Sequence, residues 1–175
     1  MTAAEAYELT TQGGTTDFSR LIQACESLGA YCLSDGPAVN CYVEPVYTLD
    51  ADIVLIAGAL PDVAAHLSQQ GFKMEQHPHS WNASSPVSQL RIQFTTDPRY
   101  QAFLARSSDA EVLGVRVKVA SLEDVTQGKL WAYSDPQRRL SKRKKDELDL
   151  IRLAESYPAL KSFYPSELKD QLDRG

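Results

Sequence analysis

Residues 50–55 read Asp-Ala-Asp-Ile-Val-Leu, and this stretch constrains the fold more than any other. The apolar run over 52–57, rich in β-branched residues, is the mark of a buried strand. Such a strand needs sheet neighbours and cover on its faces. Two acids stand at its entry. A strand's period of two sends Asp50 and Asp52 to one face. Carboxylates so close repel, and desolvation makes the repulsion worse. A cation relieves both costs. Mg²⁺ (or Mn²⁺) takes carboxylate oxygens and keeps its other positions for water and phosphate. The pair therefore points to a nucleoside triphosphate substrate held through a metal. A bare Asp-x-Asp is also common as a solvated strand start, so the neighbouring sequence decides.

The flanking sequence alternates strands and helices and then turns wholly helical. Residues 1–14 read as a weakly ordered lead-in. Thr15 or Thr16 is positioned to cap a helix whose apolar face is Phe18, Leu21, Ile22, Cys25 and Leu28, ended by Gly29. Residues 31–33 read as a strand, 38–43 as a short helical turn and 61–70 as a helix. A short strand over 72–75 precedes a polar loop over 77–86. Residues 87–94 alternate as a strand, with Leu90, Ile92 and Phe94 on one face and Gln89, Arg91 and Gln93 on the other. Residues 98–106 read as helix, and 111–113 with 115–119 as a hairpin about Gly114. Helices follow over 122–134, 139–156 and 165–173, the first opened by the capping pattern Ser121-Leu122-Glu123-Asp124. The pattern predicts an α+β chain: residues 1–120 as a mixed core, and 121–175 as a helical region packed on it in one compact unit.

Composition removes several classes. With 175 residues, 43% of them hydrophobic, a sizeable core is available. The formal charge of -5 argues against a generally basic nucleic-acid binder. Cys25, Cys32 and Cys41 are odd in number and contain no Cys-x-x-Cys pair, so reduced thiols and a cytoplasmic location are expected. Neither a signal peptide nor an apolar run of membrane-spanning length is present, so no membrane partner is expected. No P-loop or Gly-x-Ser-x-Gly motif occurs. His77 and His79 lack companions at zinc-ligand spacing. The one dense basic run is 138–145, Arg-Arg-Leu-Ser-Lys-Arg-Lys-Lys. It reads as a solvated face, or as a local patch for RNA through Arg138, Arg139, Lys142, Arg143 and Lys144.

The junction before the acids reads Ser34-Asp35-Gly36-Pro37-Ala38-Val39-Asn40, a turn where Gly36 admits close approach of a phosphate. Followed by the Asp-x-Asp strand 46–52, it resembles the turn and strand of the nucleotidyltransferase superfamily that includes DNA polymerase β. More narrowly, it is similar to the AbiEii-type toxin branch. Residues 119–132 look like that family's Glu-Asp-Leu…Lys-Leu helix. Arg138-Arg139 and Lys145 to Leu150 look like its Arg…Lys-Asp-x-x-Asp helix. The resemblance spans roughly 17–157 and implies a nucleotidyltransferase-like mixed sheet with flanking helices and a C-terminal bundle.

In function, the resemblance implies metal-dependent transfer of a nucleotide from a nucleoside triphosphate to an RNA or protein acceptor, and a toxin neutralised by an antitoxin protein. Asp50, Asp52 and Gln93 would hold the metal. Ser34, Gly36, Asn40 and Lys145 would face the nucleotide, and Lys129 and Asp146 would complete the catalytic set. Three positions depart from the family pattern. Asp35 replaces a glycine, Val46 replaces an arginine, and Gln93 stands where a third carboxylate is usual. A neutral Gln93 leaves open a second reading, a non-catalytic module of the same fold that binds nucleotide, RNA or protein.

Overall fold

The computed structural model describes residues 2–175. Among the described residues, seven strands form one mixed sheet. They are β1 (Tyr31–Leu33), β2 (Asp50–Leu55), β3 (Lys73–His77), β4 (Ser80–Ser84), β5 (Arg91–Thr95), β6 (Ser108–Val112) and β7 (Val115–Val119). Across the sheet the order is β3-β4-β5-β2-β1-β7-β6. The acid-bearing β2 lies inside it, parallel to β5 and antiparallel to β1. Ile53, Val54 and Leu55 are fully buried, as a continuous apolar run requires. Each such side chain stabilises the fold by about 1.5–3 kcal/mol on burial.

The helices are α1 (Ala3–Thr11), α2 (Gly14–Leu28), α3 (Gly36–Val39), α4 (Leu60–Gln69), α5 (Pro98–Gln101), α6 (Leu122–Ser134), α7 (Leu140–Ser156) and α8 (Ser166–Arg174). Phe18, Leu21, Ile22 and Cys25 of α2 join Leu33, Ile53, Leu55 and Phe94 in one buried core. Ser121 caps α6 by accepting the Asp124 N–H at 3.2 Å. The β6–β7 hairpin turns on Leu113 and Gly114, both with positive φ, the backbone of a tight two-residue turn. No helix among the described residues is long and apolar enough to cross a membrane.

Four readings of the sequence need correction. The lead-in is helical: Thr2 and Glu5 form a capping box, and Tyr7 of α1 is buried. The cap of α2 is Gly13 at φ +105°, so Thr15 and Thr16 lie inside the first turn. The polar segment 77–86 contains β4, which pairs with both β3 and β5. Its residues look loop-like because Ser80, Asn82 and Ser84 alternate along the strand with Trp81 and Ala83. Finally, β5 begins at Arg91, because Ser85 Oγ accepts the Val87 and Ser88 N–H groups and folds that stretch into a turn.

The two faces of β5 predict opposite responses. Phe94→Ala removes a fully buried ring and should cost about 3–5 kcal/mol in urea unfolding, whereas exposed Gln93→Ala should change stability by about 0.5 kcal/mol or less.

Candidate active site

Register builds the floor of the site. Asp52 lies opposite Gln93 and Asp50 opposite Arg91 on the parallel neighbour β5. Gln93 in turn faces Asn82, and Asn82 faces Glu75. Side chains directly opposite share a face, so Asp52, Gln93, Asn82 and Glu75 form one polar row. The junction from β1 into α3 closes one end. There the Ser34 N–H donates to the Asp52 carbonyl at 3.0 Å. A side chain at Gly36 would meet Thr48 at 3.2 Å, so glycine lets the turn abut the 46–50 segment.

The opposite wall comes from α6 and α7. Lys129 is only 3% exposed, and burying an ammonium demands compensating charge. It has three carboxylate partners: Asp35, Asp146 at 3.1 Å and Asp149 at 2.8 Å. Asp146 and Asp149 are three residues apart on α7, which puts both on the face turned to α6. Arg138 adds a bond to Asp146 at 2.6 Å, and Arg152 one to Asp149 at 2.7 Å. The structure brings Lys129 and Asp146 into one cluster, with the Lys129 ammonium bonded to carboxylates.

Between these walls lies a cleft of about 380 Å³. Asp50, Asp52, Gln93, Gly36, Lys129, Lys145 and Asp146 all line it. So do Arg138 and Lys142 of the basic run, whereas Arg139, Arg143 and Lys144 do not. Arg143 donates to the Tyr133 carbonyl at 3.2 Å, and Lys144 pairs with Glu147 at 2.7 Å. Ser34 instead lines an adjoining hollow of about 220 Å³, which shares Asp35, Asp52, Gln93 and Arg138 with the cleft. Asn40 belongs to neither. It exchanges two hydrogen bonds with Val46, at 2.8 and 3.0 Å, and pins the loop 40–46. Because α3 ends after one turn at Val39, its C-cap Asn40 faces that loop.

Asp35, Thr48, Glu75, Asn82 and Arg91 also line it, and none of them was a candidate from the sequence. Arg91 carried a signal, since it shares a strand face with Gln93. Asn82 was hidden in the segment read as loop. Among the described residues no group of three or more His, Cys, Asp or Glu is placed to hold a metal ion. The donor set at the floor is two carboxylates and the Gln93 amide.

Electrostatics separates the acids. Burial, then the charges of Asp35 and Asp50, push the Asp52 carboxyl up to about 8, and Lys129 and Arg138 only partly offset this. Among the described residues Asp52 has no ion-pair partner. Asp50 has one, Lys142 Nζ at 3.1 Å from its Oδ2. Burial also works against ionised Asp35, but Lys129 bonds to it and holds it below the ordinary carboxylate value. Burial likewise disfavours charged Lys129, and its three carboxylates more than compensate, raising it above the ordinary lysine value. A half-buried acid without an ion-pair partner, beside a second acid, fits a divalent cation.

No family model and no curated protein matches this chain. Solved structures do. The solution structure of antibiotic-resistance factor ANT(2'')-Ia matches with a TM-score of 0.57 at 13% identity, covering 92% of this chain and 97% of that one. The lincosamide antibiotic adenylyltransferase LnuA, solved with lincomycin bound, matches with 0.55 at 15% identity over 84% and 98%. An antigenic nucleotidyltransferase-like protein from Paracoccidioides brasiliensis matches with 0.56 at 19% identity over 94% of each chain. The fold is thus nucleotidyltransferase-like: a mixed sheet with flanking helices.

Two outcomes test this electrostatic arrangement. Lys129→Met strands buried carboxylates and should cost about 3–5 kcal/mol at pH 7. Asp35 lies below its unfolded value, so its contribution is present above about pH 4 and lost as pH falls further. The deficit of the variant in urea unfolding should therefore shrink toward pH 3. Asp52 shows the opposite sign: its raised value makes the metal-free protein gain stability as pH falls from 8 toward 4. Asp52→Asn should remove that gain in thermal melts.

Proposed function

We propose that this chain transfers a nucleoside monophosphate from a nucleoside triphosphate to a nucleophilic acceptor. The single observation that carries the reading is the acid pair. Asp50 and Asp52 share one face at the floor of a cleft whose far wall bears Lys142 and Lys145. Asp50, Asp52 and the Gln93 amide would hold a Mg²⁺ or Mn²⁺ ion, which when bound neutralises phosphate charge and favours departure of pyrophosphate. Gly36 lets the turn pack directly against Thr48 at the cleft's edge. Lys145, with Nζ 3.5 Å from Thr48 Oγ1, and Arg91 add positive charge along the same cleft. Lys129, Asp146 and Asp149 act as positioning residues that keep Asp35 and α7 in place.

The acceptor fits the adjoining hollow, where Ser80, Thr95 and Tyr100 offer hydroxyl groups next to Asp52. Two acceptor classes follow from different supports. An RNA acceptor, and with it a toxin role opposed by an antitoxin, rests on the resemblance to the AbiEii-type branch and on the basic run around α7. A small hydroxylated acceptor rests on the fold neighbours, since LnuA was solved with lincomycin and ANT(2'')-Ia with adenylyl-2''-tobramycin. One observation favours a second reading, a non-catalytic nucleotide- or RNA-binding module: Gln93 gives the row next to Asp52 no third charge.

Incubation with α-labelled nucleoside triphosphates, Mg²⁺ or Mn²⁺, total RNA and a panel of hydroxylated small molecules tests these readings together. Label should appear on an acceptor, and Asp50→Ala/Asp52→Ala should reduce transfer by about 100-fold or more. Transfer that persists in that variant removes the pair from the mechanism. Nucleotide binding without transfer, with transfer gained in Gln93→Glu, establishes the binding module instead.

A further inference from the structure

We infer that Lys142 is a phosphate-binding residue parked on Asp50 in the free protein, so that cation and polyphosphate bind as a coupled pair. This rests on the proposed function of the same cleft. Four cationic groups from α6, α7 and the turn between them line the cleft: Lys129, Arg138, Lys142 and Lys145. Lys129 and Arg138 are locked onto the buried carboxylates Asp146 and Asp149 and the part-buried Asp35, and cannot re-aim without leaving those charges unpaired. Lys142 is held differently. Its only ion pair among the described residues is Asp50, at 3.1 Å, with the two side chains 45% and 41% exposed. A half-exposed pair of this kind is weak and exchangeable.

The acid that Lys142 holds is also one of the two that a divalent cation would need. Nζ and a metal ion cannot both sit on Asp50 without strong like-charge repulsion. Arrival of the cation therefore frees Lys142. It stays on α7 one turn from Lys145, over the same cleft, with a new anion in front of it. In the reverse direction, a polyphosphate draws Lys142 away and leaves Asp50 open to the metal. Each ligand favours the other, and the coupling is reciprocal.

Manganese binding followed by electron paramagnetic resonance, with nucleoside triphosphate binding followed by calorimetry, tests the inference on the full chain. Lys142→Gln should bind Mn²⁺ without nucleotide about two- to fivefold more tightly, since a competing ion pair is gone. The same variant should bind triphosphate about tenfold more weakly in the presence of metal, through loss of a charge-assisted contact. Lys142→Arg should restore both values toward wild type. Unchanged or weaker Mn²⁺ binding in Lys142→Gln overturns the inference while the proposed function stands. Absence of Mn²⁺ binding in wild type, with and without triphosphate, overturns the metal-dependent reading and the inference together.

Discussion

The ammonium of Lys129 is the interaction on which the rest of the site depends. It sits on α6, and its three carboxylates come from the β1–α3 junction and from α7. One buried cation thus ties the sheet's end to both long C-terminal helices. An ion removed from water to this degree is stable only while its partners remain charged and in place. The arrangement fixes the spacing between the acid-bearing strand and the helix that carries Lys142 and Lys145. Width and polarity of the cleft follow from it, because the facing wall cannot drift without stranding charge.

The same cluster explains why the acids of the floor behave differently. Asp35 is ionised because Lys129 neutralises it, and that residual negative field falls on Asp52, which has no cation of its own. Asp50, at the more exposed end of the pair, takes Lys142. The free protein therefore holds one compensated acid and one uncompensated acid side by side. That asymmetry makes the cleft receptive to positive charge at its floor and to negative charge at its far wall. A metal–triphosphate complex carries charge in this order.

Much of this was legible in the residues. The apolar run of β2 and the alternation of β5 were sufficient to bring Asp50, Asp52 and Gln93 together, since strand period alone decides which face a side chain takes. Helical periodicity placed α2, α4, α6 and α7. What stayed hidden has physical reasons. Strand β4 has a polar face because it lines a wet cleft, so its composition imitates a loop. Helix α1 starts from a Thr2–Glu5 capping box at the very start of the described residues. The surroundings of Lys129 depend on burial, which no local pattern reports: its ammonium lies among Asp35, Asp146 and Asp149. Asp149, three residues after Asp146, carried a usable signal in its helical spacing. Asn40 looked like a turn residue facing ligand, and the brevity of α3 turned it to Val46 instead.

The central claim is that the cleft floor brings a divalent cation and a triphosphate together on Asp50 and Asp52. Phosphorus nuclear magnetic resonance of a nucleoside triphosphate in the presence of protein and trace Mn²⁺ tests it most directly. Paramagnetic broadening of the phosphate resonances beyond that of free Mn²⁺–nucleotide should appear with wild type and disappear with Asp50→Asn/Asp52→Asn. Equal broadening with both proteins would contradict the account.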